Sequence, residues 1–216
     1  DGRPTGEPRL LQQDIGRIVT PLGLTPEGAF HYYRQVGLVD VHTVDLDEQG
    51  KATSAPVAAP RRYVGSNMMP TWSPDGNRIA YLAQMAFGPR DQLDVLDLAS
   101  GASSALPTLM RWTRLPRWSP DGRSLLVKGY DGEGRYGIFR IDAETGTPTP
   151  VVTVPPRDES TLGVVLWGPT ADTVLYTRPE GDGSAIVSHR AEDGAEQVVM
   201  PVGPDWWFAA NPPFSV

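Results

Sequence analysis

Apolar residues in this chain fall in short runs separated by turn residues, and within the runs they alternate with polar ones. Residues 136–142 are typical. Gly137, Phe139 and Ile141 lie on one parity and Ile138, Arg140 and Asp142 on the other, a period of two that fits a strand better than the 3.6 of a helix. The same reading predicts strands over 78–84, 124–130 and 173–177, then over 92–98 and 185–190, and outer strands over 151–154 and 196–200. Pro, Gly and β-branched residues interrupt every window long enough for an amphipathic helix. The expectation is an all-β chain of many short antiparallel strands.

The punctuation between the runs repeats. Trp72-Ser73-Pro74-Asp75-Gly76 recurs as Trp118-Ser119-Pro120-Asp121-Gly122, more weakly as Trp167-Gly168-Pro169-Thr170-Ala171-Asp172, and earlier as Leu24-Thr25-Pro26-Glu27-Gly28. The prolines at 26, 74, 120 and 169 set a spacing of 46–49 residues. Gly50, Gly101, Gly146 and Gly194 mark a second turn in phase with the first. One unit therefore reads as an inner strand, a Pro-Asp-Gly turn, two middle strands, a Gly turn and an outer strand. A repeat of under fifty residues with four strands each is the size of a propeller blade.

Composition narrows the function classes. Hydrophobic residues make up 39% and charged residues 21% of 216 positions, with six Trp, which is a globular balance. The 23 Gly and 22 Pro supply the many turns. A formal net charge of −7 disfavours nucleic acid as a partner. The absence of Cys removes disulfides, thiolate nucleophiles and Cys-based metal sites. No apolar run approaches the roughly 20 residues of a spanning helix, so membrane insertion is not expected.

The motif Pro70-Thr71-Trp72-Ser73-Pro74-Asp75-Gly76, repeated as Pro116-Arg117-Trp118-Ser119-Pro120-Asp121-Gly122, resembles the WD40-like (PD40) repeat of TolB-type β-propellers. The first unit departs from it at Leu24 and Glu27, and the fourth lacks the glycine. The resemblance implies a single, partial β-propeller domain over 1–216: four complete blades of four antiparallel strands, at about 15–60, 61–110, 111–158 and 159–204, plus terminal half-blade strands. Residues 205–216 would begin a further blade. An open arc leaves a blade face uncovered, so the expectation is a homo-oligomer joined through the open edges or, equally, a compact five-blade ring closed imperfectly by the two half-blades. Similar repeats occur in TolB, in the accessory propellers of prolyl-oligopeptidase-like enzymes and in bacterial sensor or scaffold regions. An extracytoplasmic location would follow by analogy only.

In such a ring the inner strands line a central channel. Aligning the units places Asn67, Met68, Arg114, Thr161 and Asn211 at or near its mouth, as candidates for binding a protein, peptide or small ligand. Arg114 has the chemistry to hold a carboxylate or phosphate. His31, Asp40 and His42 compose a possible two-His, one-carboxylate metal set if a hairpin near Gly37 brings His31 opposite Thr43; a polar cluster between blades is the plainer reading. Gly132-Glu133-Gly134-Arg135-Tyr136-Gly137 matches G-x-G-x-x-G but sits between two predicted strands, so it reads as a hairpin loop and not as a dinucleotide site. Asp45, Asp47 and Gly50 resemble the start of a calcium loop that lacks its bidentate Glu. Asp205-Trp206-Trp207-Phe208 is an aromatic cluster suited to packing or to a contact surface.

These readings favour a non-catalytic binding or scaffold module. The alternatives are a propeller hydrolase of esters, lactones or phosphotriesters, or the accessory propeller of a prolyl-oligopeptidase-like enzyme. No cofactor is evident, and a divalent metal ion belongs only to the hydrolase alternative.

Overall fold

Alternating side chains on a pleated backbone can bury both faces of a sheet only when the sheet has a neighbour on each side, and the chain meets that condition by stacking sheets. The computed structural model describes residues 19–24, 30–34, 39–60, 65–85, 91–155 and 162–203, with backbone alone at 19–24, 30–34 and 85. Two compact units, residues 1–38 and 39–216, are described separately. In the first, β1 (Val19–Leu24) pairs antiparallel with β2 (Phe30–Arg34).

The second unit begins with a short sheet of β3 (His42–Thr43) and β4 (Val57–Ala58). Three four-stranded antiparallel sheets follow, each formed by strands consecutive in sequence. They are β5 (Gly65–Trp72), β6 (Arg78–Met85), β7 (Asp91–Asp97) and β8 (Ser103–Ala105); then β9 (Trp112–Trp118), β10 (Ser124–Tyr130), β11 (Tyr136–Asp142) and β12 (Pro148–Val154); and last β13 (Val165–Trp167), β14 (Thr173–Glu180), β15 (Gly183–Arg190) and β16 (Glu196–Val202). No helix occurs among the described residues. These sheets coincide with the second, third and fourth units of the repeat and are called the second, third and fourth sheets accordingly. The strands of the first unit are described as the two two-stranded sheets.

Neighbouring sheets share cores. Ala80, Leu82, Leu93 and Val95 pack against Leu125, Val127, Phe139 and Ile141 of the next sheet. The opposite face of that sheet, with Leu126, Tyr136 and Ile138, packs against Val165, Val174, Tyr176, Ala185 and Val187. Consecutive residues such as Ile138 and Phe139 thus enter different cores and are both buried.

The repeated motif explains itself in atomic detail. Ser119 is fully buried; its hydroxyl donates to Asp121 at 2.5 Å and accepts the Ser124 N–H at 3.0 Å, while Gly122 N–H closes the turn onto Ser119 C=O at 2.9 Å. Ser73, Asp75, Gly76 and Arg78 repeat the arrangement. Gly76 and Gly122 adopt φ of +71° and +68°, which favours glycine there. The two turns are tied together as well: Arg78 lies 4.5 Å above the Trp118 ring and donates to the Gly122 carbonyl at 3.0 Å.

The turn aspartates hold their protons weakly. The hydroxyls of Ser73, Ser100 and Ser119 are the chief reason at Asp75, Asp97 and Asp121, and the backbone N–H groups of Thr145 and Ala195 at Asp142 and Asp193. A carboxyl with a depressed pKa in the folded state contributes stability that is complete above its unfolded value, about 3.9, and is lost as pH falls through the folded value. Stability is therefore expected to decline once pH drops below about 4. Ser119→Ala should remove about 1 kcal/mol at neutral pH and flatten that acid limb, as read by urea titrations across pH.

Candidate functional site

The three large sheets have two unlike ends. One carries the Ser-Pro-Asp-Gly turns of the second and third sheets, their weaker counterpart at 168–172, and the Gly turns. The other carries the starts of the inner strands and the hairpins joining the middle strands. The channel-mouth candidates with described positions all lie toward this second end.

Asn67 is buried, and its Nδ2 donates to Asp40 Oδ1 at 2.9 Å. Asp40 therefore holds an inner strand of the second sheet. His42 is exposed and pairs with Ala58, Thr43 pairs with Val57, and His31 pairs with Gly23 within the first unit. Among the described residues no three His, Asp or Glu side chains assemble as a cation site. Thr161, Asn211 and the cluster at 205–208 lie outside the described residues.

Met68 and Arg114 stand beside a repeated irregularity. Met69 and Leu115, each followed by proline, adopt φ of +55°, a left-handed conformation that costs a non-glycine residue roughly 1–2 kcal/mol. Each sits in a bulge. Thr71 pairs with Ala80 and Arg117 with Leu126, but beyond the bulge Met68 pairs with Leu82 and Arg114 with Lys128. Unbroken pairing would have set Arg114 against Gly129. The fourth sheet has Val165 where the others have proline, and its inner strand pairs without a shift.

The bulge assembles a mixed surface at the end of the third sheet. Trp112, Tyr130, Tyr136 and Val154 form one row across its four strands, and Arg114, Lys128, Ile138 and Val152 form the row two positions away, on the same face. Tyr130 and Tyr136 lie 4.9 Å apart between centroids, and Trp112 meets Tyr130 at 6.2 Å, edge to face. The Arg114 guanidinium stacks 4.5 Å above Trp112; its Nη1 pairs with Asp91 and donates to Thr113 C=O at 2.8 Å. Lys128 Nζ crosses to the fourth sheet and donates to the carbonyls of Leu162 and Gly163 at 2.9 and 3.1 Å. Burial holds Lys128 below its usual pKa.

The G-x-G-x-x-G segment is a hairpin between β10 and β11, as its context predicts. Asp131, buried, accepts the N–H groups of Glu133 and Arg135 and pairs with the Arg135 guanidinium at 2.7 Å. Burial opposes its ionisation, yet Arg135 and these N–H groups keep its carboxyl below the ordinary value. A cleft of about 480 Å³ beside this hairpin is lined by Glu133, Gly134, Arg135, Thr153, Val154 and Pro155. Toward the outer edge of the fourth sheet, Glu196 accepts from Tyr176 at 2.6 Å and Arg178 at 2.8 Å and meets His189 at 3.2 Å. Burial, with Glu196 adding to it, pushes the Tyr176 phenol up to about 12.

Sequence reasoning found Arg114 but missed Asp91, Trp112, Lys128, Tyr130 and Tyr136. Their shared positions, at strand ends on one side of the turn-marked units, were the available signal.

No protein-family model matches the chain. It is 30% identical over 142 residues to a Bacillus subtilis protein named uncharacterized peptidase YuxL, covering 66% of this chain and 21% of that protein. It is 28% identical over 106 residues to dipeptidyl-peptidase 5 of Aspergillus fumigatus, covering 46% of this chain and 15% of that enzyme. The chain thus spans about a fifth or less of the curated relatives it matches. A solved TolB-type structure from Agrobacterium tumefaciens superposes with a TM-score of 0.53 at 18% identity, covering 83% of this chain and 64% of that one. With consecutive four-stranded antiparallel sheets that share cores face to face, the chain has the β-propeller fold of TolB.

Proposed function

We propose that this chain is part of a non-catalytic propeller within a larger peptidase-type protein, and that the end of the third sheet bearing Arg114 contacts the peptide. The observation that carries this reading is the 142-residue likeness to a protein named as a peptidase, of which the chain spans only 21%. A binding role needs no nucleophile in these sheets. It needs a rigid surface with oriented polar groups, and Arg114, gripped by Asp91 and Trp112, is such a group. This reading takes up the alternative of an accessory propeller of a peptidase-type enzyme rather than the general binding or scaffold module, and the peptidase names of the relatives are what favour it.

The chain should hold a tripeptide such as Ala-Pro-Phe without cleaving it. Binding is followed through the intrinsic fluorescence of its tryptophans, and turnover through a fluorogenic amide of the same peptide. Release of the fluorophore by the chain alone, or an unresponsive fluorescence signal at millimolar peptide, would overturn the proposal.

A further inference from the structure

The third sheet pairs two cations across neighbouring strands, and among the described residues one carboxylate, Asp91 of the second sheet, lies within 4.0 Å of either. Arg114 and Lys128 are direct cross-strand partners, an arrangement in which like charges repel. Asp91 engages only the Nη1 corner of Arg114. Among the described residues, Nε and Nη2 make no hydrogen bond. Lys128 reaches two carbonyl oxygens, and among the described residues no carboxylate lies within 4.0 Å of its Nζ. Among the described residues, Asp91 is thus the one carboxylate within 4.0 Å of this cation pair, in a chain whose formal net charge is −7.

The geometry around that pair is already fixed. Asp91 and the Trp112 ring orient the guanidinium from two sides, and the carbonyls of Leu162 and Gly163 fix the ammonium. An anion entering here meets prearranged donors, so little ordering remains to oppose binding. Trp112, half-buried, lies under the Arg114 guanidinium, and half-buried Tyr130 meets the Trp112 ring edge to face. Burial lowers the Lys128 pKa, and among the described residues no carboxylate within 4.0 Å offsets it.

We infer that Arg114 and Lys128 form a subsite for a peptide carboxylate, and that Trp112 and Tyr130 pack against the ring-bearing residue next to it. The inference rests on the peptide-binding reading above and names the part of the peptide that is recognised. The carboxylate could be the peptide's C-terminus or an acidic side chain, since the two present the same pair of oxygens.

Calorimetric titration distinguishes these sources. The wild-type chain is titrated with Ala-Pro-Phe, with its C-terminal amide, with Ala-Glu-Phe amide and with inorganic phosphate. A terminal carboxylate predicts that the free acid binds about tenfold more tightly than the amide. A side-chain carboxylate predicts that Ala-Glu-Phe amide gains by a similar factor over Ala-Pro-Phe amide. In either case Lys128→Met should abolish the gain. The wild-type comparisons stand even if the variant folds poorly. If the acid and both amides bind alike, the subsite is wrong and the peptide reading survives. If no peptide binds, both fall. Phosphate binding as tightly as the best peptide would make this a general anion site and overturn the inference.

Discussion

Gly129→Ala is expected to destabilise the chain by about 3 kcal/mol, at the upper end of what overpacking usually costs. A Cβ on Gly129 would lie 2.0 Å from the Trp112 carbonyl oxygen. That atom belongs to the backbone of the paired strand and cannot swing aside as a long side chain would. Gly137, its partner across β10 and β11, is equally confined, with the Val152 carbonyl 2.1 Å from its Cβ position. Gly76→Ala is the informative control. Gly76 has φ of +71° but nothing within 4 Å of its Cβ position, so the substitution costs only the left-handed conformation, roughly 1–2 kcal/mol. Urea unfolding followed by far-ultraviolet circular dichroism separates the two. A Gly129→Ala variant as stable as Gly76→Ala would mean that β9 and β10 are not held together as described.

Phe139→Ala should cost about 3–5 kcal/mol and Ile138→Ala about 2–5 kcal/mol, although the two residues are adjacent on one strand. Phe139 is 1% exposed in the core shared with the second sheet, and Ile138 is 0% exposed in the core shared with the fourth. A sheet with one wet face would tolerate one of these changes. A stacked blade tolerates neither, and both should shift the same unfolding transition. A small effect at either position would contradict the stacking.

The blades were readable because their turns carry chemistry. The Ser-Pro-Asp-Gly pattern names a hydroxyl, a proline, a carboxylate and a left-handed residue, and Ser119, Pro120, Asp121 and Gly122 use all four in one turn. The middle strands followed, since 124–130 and 136–142 are bounded by that turn and by Gly146. The first repeat unit was harder to read. It lacks the Trp and the Asp of the motif, and its strands are described in two separate sheets.

The surface at the third sheet was less legible for a definite reason. Arg114 meets Lys128 only because of the bulge at Leu115, and a bulge shifts pairing by one residue without a reliable mark in the sequence. Pro116 was the visible trace, and Pro70 its counterpart. Asp91 comes from the neighbouring sheet, so its pairing with Arg114 depends on how the blades stack. Asn67 was legible as a channel-mouth residue by alignment, but its bond to Asp40, which holds it buried, was not.

Hydrogen exchange on the chain with and without Ala-Pro-Phe is the most direct examination of the binding account. Slowed exchange at 112–114, 128–130 and 136, with no cleavage of the peptide, is the predicted outcome. Slowing confined to the Ser-Pro-Asp-Gly turns at the opposite end of the sheets, or no change anywhere, would contradict it.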